Sequence, residues 1–184
     1  MSLTETPICN FGEKAKNFDL LSTEIKKTSL DDVKGKNGTL VMFICNHCPY
    51  VKAVIKDIVK AAKYLETLGI KSAAIMSNDV KNYPEDSFEN MISFSKTHNF
   101  TFPYLIDETQ EVAKEYGAVC TPDFFGYNKN LELQYRGRIR ELKNLKPIGK
   151  GDSDLNVAMK SIAASGKGPK KQIPSMGCNI KWLK

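Results

Sequence analysis

The tetrad Cys45-Asn46-His47-Cys48 stands where a buried-strand pattern gives way to a helical one, and that junction constrains the fold more than any other stretch of the chain. Upstream, Thr39-Leu40-Val41-Met42-Phe43-Ile44 follows Lys36-Asn37-Gly38 as an unbroken apolar, partly β-branched run, which reads as a strand buried on both faces. Downstream, Val51, Val54, Ile55, Ile58, Val59, Ala62 and Leu65 recur at helical spacing until Gly69 stops the pattern. The two cysteines therefore fall in the strand-to-helix turn and the first helical turn. Unpaired N–H groups and the positive end of the helix dipole favour thiolate over thiol there, and His47 is a second source of positive charge. A thiol so placed titrates between roughly 3.5 and 7.5 instead of near 8.5. Cys45, at the N-terminal end of the pair, is the expected nucleophile. Cys48 is then placed to attack the resulting mixed disulfide and release a reduced substrate.

Zinc is the competing use of a Cys-x-x-Cys pair. A structural zinc site wants a second pair, whereas Cys9, Cys120, Cys178 and His98 are all isolated in the sequence, so no metal is expected.

A chain of 184 residues with 41% hydrophobic content can bury one sizeable core without a second domain. Its net charge of +6 comes mostly from lysines scattered over the whole length, and the only arginines are in Arg136-Gly137-Arg138-Ile139-Arg140. No basic stripe interleaved with aromatics is present, so no nucleic-acid partner is expected. The first residues, Met1 to Pro7, lack the basic and apolar regions of a signal peptide, and no apolar run is long enough to span a bilayer. A cytoplasmic location without a membrane partner is the expectation. The odd count of five cysteines agrees, because a disulfide that forms in that compartment is usually catalytic or redox-sensing.

Strand and helix patterns alternate along the chain. Phe18 to Leu21 and Lys27 to Leu30 read as an extended N-terminal stretch before the central strand and long helix. Ile70 to Met76 is a second buried strand ended by Ser77-Asn78-Asp79. A helix through His98 follows, with Phe88, Met91, Ile92 and Phe94 on its apolar face and Asp86 or Ser87 as N-cap. Pro103 to Ile106 is a short strand. Asp107 is expected to cap the helix ending at Gly117, with Gln110 completing a capping box. Phe124 to Tyr127 and Leu131 to Arg136 flank Asn128-Lys129-Asn130 as a hairpin. Ser153 to Ala164 forms a last amphipathic helix. The pattern predicts a mixed α/β sheet flanked by helices, in a single domain over residues 1–165 with a Gly/Pro/Lys-rich tail over 166–184.

The Cys45-x-x-Cys48 pair after a buried strand, with Val119-Cys120-Thr121-Pro122 before the terminal hairpin, resembles the thioredoxin superfamily. More closely, the chain resembles the peroxiredoxin-like thioredoxin-family proteins called redoxins. Phe43 to Val51, Ser77-Asn78-Asp79, Tyr83 to Ser87, Phe102 to Leu105, Asp107 to Gln110, Cys120 to Phe124, Tyr135 to Arg138 and Gly177 to Trp182 carry this likeness over nearly the whole chain. It implies a thioredoxin-like fold with an extended N-terminal segment and an inserted strand/helix unit. It also implies a cis Thr121–Pro122 bond, with Thr121 offering its backbone to an incoming substrate strand across the sulfurs. The central His47 resembles that of the oxidising disulfide-forming enzymes, where it stabilises the thiolate. The peroxiredoxin pattern Pro-x-x-x-Thr-x-x-Cys is not reproduced: with Cys48 as its cysteine, Cys45 and Val41 stand at the Thr and Pro positions.

These readings point to a thiol-disulfide oxidoreductase in which Cys45, Cys48 and His47 are catalytic and Thr121 and Pro122 shape substrate access. Its redox-active disulfide is the only prosthetic chemistry called for, and no other cofactor is expected. The partners expected are protein or small-molecule disulfides and thiols, together with an electron-donor thiol system. Two alternatives stand: a peroxiredoxin-like thiol peroxidase with an antioxidant role, or a redox-sensing binding module. Three auxiliary residues carry open readings. Cys120 is a third redox participant or a small buried hydrophobe. Arg136 supplies a guanidinium to a peroxide or lies on the sheet surface. Cys178 is a resolving thiol or merely packs where Ile180 and Trp182 dock the tail.

Overall fold

A computed structural model describes residues 3–184. The strands and helices in chain order are β1 (Leu3–Glu5), β2 (Asp19–Ser22), β3 (Lys27–Ser29), β4 (Gly38–Phe43), α1 (Pro49–Thr67), β5 (Ile70–Met76), α2 (Phe88–Thr97), β6 (Tyr104–Ile106), α3 (Glu111–Tyr116), β7 (Cys120–Thr121), β8 (Asp123–Asn128), β9 (Leu133–Arg136), β10 (Leu142–Lys143), β11 (Lys146–Pro147), α4 (Asp154–Ser165) and β12 (Met176–Asn179). Seven strands form the main sheet in the order β3-β2-β6-β5-β4-β8-β9. Strands β4, β5 and β6 run parallel, and β8 returns antiparallel along the other side of β4, with Phe43 opposite Asp123.

The apolar run at the centre of the sequence is β4, and every one of its residues is buried. Its alternation sorts two layers. Leu40 and Met42 pack with α1, α4 and Met91 of α2, whereas Val41 and Phe43 pack with Val112, Ala113 and Tyr116 of α3 and with Phe125. Gly126 on β8 lets α4 lie close, since a Cβ there would stand 2.5 Å from the Met159 sulfur. Helix α1 buries Val51, Val54, Ile55, Ile58 and Leu65 against the sheet. Each such side chain contributes about 1.5–3 kcal/mol of transfer free energy. Helix α4 starts where the sequence places it, with Ser153 as N-cap accepting the Asn156 N–H.

Three helix starts bear on the site. Pro49 occupies the first position of α1, where its missing N–H costs nothing, so Cys48 is the N-cap and Cys45 lies outside the helix. Ser87, not Asp86, caps α2 by accepting the Asn90 N–H, which leaves Asp86 buried beneath it for other bonds. The Asp107/Gln110 capping box does not form. Asp107 reaches past the helix start to the Ala113 N–H at 2.9 Å, while Gln110 adopts a left-handed conformation (φ 64°) and binds the C-terminal segment.

That segment returns to the body of the domain. Strand β12 lies between β1 and β7 in a small second sheet, antiparallel to both, with Cys178 opposite Thr121 and Asn179 opposite Cys120. Among the described residues no helix is long and apolar enough to cross a membrane.

Candidate active site

The loop Cys45-Asn46-His47 leaves the C-terminal end of β4 and enters α1 at Cys48, the edge at which open α/β sheets present their functional loops. Both cysteines are thiols and both are buried. The Thr121–Pro122 peptide is cis, and it brings Thr121 onto both sulfurs. The Thr121 hydroxyl lies 3.4 Å from Cys45 Sγ, and the Cys48 thiol donates to the Thr121 carbonyl at 3.2 Å.

Asp86 organises the loop from below. Its fully buried carboxylate accepts the N–H groups of Asn46 (2.8 Å) and His47 (3.2 Å), His47 Nδ1 (2.6 Å) and Asn78 Nδ2 (2.8 Å). Burial works to raise its pKa, but the imidazole, the Asn78 amide and the Asn46 N–H together hold it below the ordinary carboxyl range. His47 is raised in turn, chiefly by the Asp86 hydrogen bond, against burial and the nearby Lys181 charge. The ring stacks on Tyr83 at 5.7 Å and 10°, which fixes its plane. Asn46 is pinned by its amide to the Glu85 carbonyl and by the Tyr104 hydroxyl donating to its Oδ1 at 2.9 Å. Tyr104→Phe leaves that buried oxygen unsatisfied and is expected to cost about 1–3 kcal/mol in urea unfolding. A change below about 0.5 kcal/mol would show that the bond does not hold the loop.

The two thiols titrate as one linked pair, with Cys48 drawn down and Cys45 pushed up. Cys48 is held down to about 5 by the Cys45 thiol that donates to it, and further by Cys178 and the Val51 N–H near its sulfur; burial opposes them. Loss of the thiol's own bond to the Thr121 carbonyl opposes them too. Cys45 is pushed well up, first because it is the donor to Cys48, then by burial and by the Asp86 negative charge. Asp86 sets a negative charge against that of His47 beside Cys45, a balance that the tetrad alone does not show. Residue-resolved iodoacetamide labelling is expected to give Cys48 a midpoint of about 5, with no Cys45 wave below the ordinary thiol range of about 8.5. Labelling in the opposite order would return the thiolate to Cys45.

Of the auxiliary residues, only Cys178 joins the centre. It shares one apolar cluster with both cysteines and helps to draw the Cys48 thiol down. Cys120 is fully buried and turned to the Pro122 carbonyl at 3.8 Å. Arg136 lies on the opposite face of the sheet, stacked on Phe125 at 4.5 Å, where Nη2 binds Asp123 at 2.8 Å and the Gly117 carbonyl at 2.8 Å. It offers no guanidinium to the sulfurs. Thr121 contacts both thiols as expected, but its free backbone edge does not exist: β12 already pairs there, so an incoming strand cannot take that edge while β12 holds it. Cys45 Sγ, a His47 ring nitrogen and an Asp86 oxygen lie within 4.8 Å of one another, the one group with metal-ligand spacing among the described residues.

Asp86, Asn78, Tyr104 and Gln110 were not found as site residues from sequence. Pro49 was the available signal that Cys48 sits at the helix cap.

Sheet, helix and dithiol together place the protein among chains of thioredoxin-like fold. The chain belongs to the AhpC/TSA family, whose profile matches residues 11–142. An uncharacterized conserved protein from Geobacillus kaustophilus is 40% identical, with TM-score 0.93 over 100% of this chain and 97% of that one. A hypothetical protein from Sinorhizobium meliloti 1021 is 34% identical, with TM-score 0.90 over 98% of each chain. The thioredoxin domain of a thiol-disulfide oxidoreductase from Bacteroides vulgatus, at 16% identity and TM-score 0.58 over 73% of this chain and 89% of that one, shares the fold. No curated protein matches the sequence.

Proposed function

We propose that the protein is a thiol-disulfide oxidoreductase in which Cys45 and Cys48 cycle between dithiol and disulfide. The carrying observation is a pair of buried thiols at the head of α1, with the Thr121 hydroxyl on one sulfur and the Thr121 carbonyl on the other. The Cys48 thiolate attacks one sulfur of a substrate disulfide, forming a mixed disulfide and expelling the other half as thiolate. Cys45 then loses its proton and attacks Cys48, which closes the Cys45–Cys48 bond and releases the second half. His47, whose pKa the Asp86 hydrogen bond raises and which lies near Cys45, is the local proton source for departing thiolates. Electrons return from a donor thiol, and no metal or organic cofactor is required. A groove of about 350 Å³ lined by Tyr50, Val54, Pro122, Ile139 and Met176 offers disulfide substrates of protein or small-molecule origin an approach beside Pro122.

The test is the reduction potential of the pair in glutathione buffers, with Cys9, Cys120 and Cys178 replaced by Ser. A value between about −270 mV and about −120 mV is expected, and its place in that range sets the direction of electron flow. Failure of Cys45 and Cys48 to form a disulfide would overturn the reading.

A thiol peroxidase is the second reading, favoured by the thiolate at Cys48 and by membership of the AhpC/TSA family. It lacks a guanidinium at the sulfurs, because Arg136 is turned to Asp123. Stopped-flow oxidation by hydrogen peroxide separates the two: a rate no faster than that of free cysteine thiolate removes the peroxidase.

A further inference from the structure

We propose that Cys178 is a third redox thiol of this centre, which takes over the disulfide from Cys45 by exchange at Cys48, so that β12 is the dithiol's built-in first partner. The inference rests on the reading of Cys45 and Cys48 as the redox couple.

Two independent placements support it. The first is the ladder: β12 runs antiparallel to β7 with Cys178 directly opposite Thr121, the residue whose hydroxyl and carbonyl touch Cys45 and Cys48. A disulfide substrate docking by strand addition would bring its cysteine to this position, and the chain fills it with a cysteine of its own. The second is the side chain. Cys178 is buried in the same apolar cluster as Cys45 and Cys48 and close enough for Cys48 to shift its titration, whereas Cys120 is turned to the Pro122 carbonyl. Gly177 makes the close approach possible, since a Cβ at that residue would lie 2.0 Å from the Thr121 carbonyl oxygen.

The strand is also anchored on both sides of Cys178. Ser175 Oγ donates to the Pro122 carbonyl at 2.7 Å, and the Ile180 N–H to the Val119 carbonyl at 3.1 Å. Beyond it, the Lys181 N–H binds Asn78 Oδ1, the Lys181 carbonyl accepts from Gln110 Nε2, and the Leu183 N–H returns to Gln110 Oε1. Asn78 is the residue that also binds Asp86, so the segment carrying Cys178 and the loop carrying Cys45 share one polar frame.

The exchange is balanced within the chain. A substrate disulfide first oxidises Cys45 and Cys48, leaving two substrate thiols. The Cys178 sulfur, giving up its proton, attacks Cys48 Sγ; the Cys48–Cys178 bond forms as the Cys45–Cys48 bond breaks. The electron pair leaves on Cys45, which takes up one proton, so the oxidation level of the protein is unchanged. Burial raises the Cys178 thiol to about 12 while Cys48 is a neighbouring thiolate. Oxidation of Cys48 removes that charge and eases the deprotonation.

The test uses the full chain with Cys45→Ser, and Cys45→Ala as a second variant, oxidised by diamide, quenched in acid, alkylated and mapped by peptide mass spectrometry. The expected product is a monomer joined at Cys48–Cys178. In the wild type the same linkage is expected to appear after Cys45–Cys48 and to coexist with it. Cys178 still alkylatable in both variants, or a Cys48–Cys120 linkage in its place, would overturn the proposal. The Cys178→Ser chain keeps the two readings apart: if it still forms Cys45–Cys48, the couple stands whatever becomes of Cys178, and if it does not, the couple itself has failed.

Discussion

Asp86→Ala is expected to lower the unfolding free energy by about 3–5 kcal/mol near pH 6, the cost of breaking a buried ion pair from one side. Asp86 is fully buried, and its carboxylate binds two backbone N–H groups, the imidazole and the Asn78 amide. Its removal leaves those donors without their acceptor. The loss should depend on pH with a definite sign. Asp86 has its folded pKa lowered, so its contribution is present above the unfolded value of about 3.9 and disappears as pH falls through the folded one. His47 has its folded pKa raised, so its contribution is complete below the unfolded value of about 6.5 and disappears as pH rises through the folded one. The pair therefore stabilises most between about pH 4 and pH 6.5, and the penalty of Asp86→Ala should shrink on either side. Urea unfolding at pH 3, 5.5 and 9 checks this; a penalty under about 1 kcal/mol, or one that does not vary with pH, would count against the pair.

Asp86→Asn separates charge from shape. Burial and Lys181 both depress His47, so without the carboxylate its titration should fall below the ordinary value of about 6.5. The only other histidine, His98, is already lowered by burial, and the two resonances can be told apart by His98→Gln. Loss of the negative charge should also bring Cys45 down from its raised value, since Asp86 is one of the groups that holds it there.

The same residue shows why the site was only partly legible in the sequence. Strand β4, the body of α1, strand β5, the β8–β9 hairpin and α4 follow from periodicity and turn residues, which are local signals, and all are present. Cys45, His47 and Cys48 were legible because a single turn holds them. Asp86 lies 38 positions beyond Cys48 in a stretch that reads as a helix cap, and only tertiary packing reveals that Ser87 takes the cap and frees Asp86 for the loop. Without that carboxylate in view, His47 looked like net positive charge beside Cys45. Gln110 is the same kind of case: its spacing from Asp107 fits a capping box, but its amide ties down Lys181 and Leu183, which approach from the far end of the chain. The Gly/Pro/Lys-rich composition of residues 166–184 carries no periodicity that predicts β12, because its partners β1 and β7 are short strands distant in sequence.

Gly177→Ala should open the centre. Gly177 does not require a left-handed backbone, so the substitution acts through space alone: its Cβ would stand 2.0 Å from the Thr121 carbonyl oxygen and 2.6 Å from its carbonyl carbon, both backbone atoms that cannot swing aside. Overpacking of this kind costs about 1–3 kcal/mol, and the cheapest relief is for β12 to leave β7. Since Cys48 is buried in the intact structure, its alkylation reports the population of that open state. The expected increase in Cys48 labelling rate is about 5- to 150-fold, which is the same energy expressed as an opening equilibrium. Hydrogen exchange across residues 175–181 should rise in parallel, and the yield of the Cys48–Cys178 linkage in the Cys45→Ser background should fall. Gly168→Ala is the control. Its Cβ would meet the Gln134 carbonyl oxygen at the same 2.0 Å, in the same tail but away from the sulfurs, so it should leave Cys48 labelling unchanged. Equal acceleration in both variants would mean that the tail loosens as a whole, and no acceleration in Gly177→Ala would mean that β12 does not control access to Cys48. Acceleration confined to Gly177→Ala would make β12 the gate of the dithiol as well as its neighbour, so that a substrate reaches Cys48 only when this strand gives up its place.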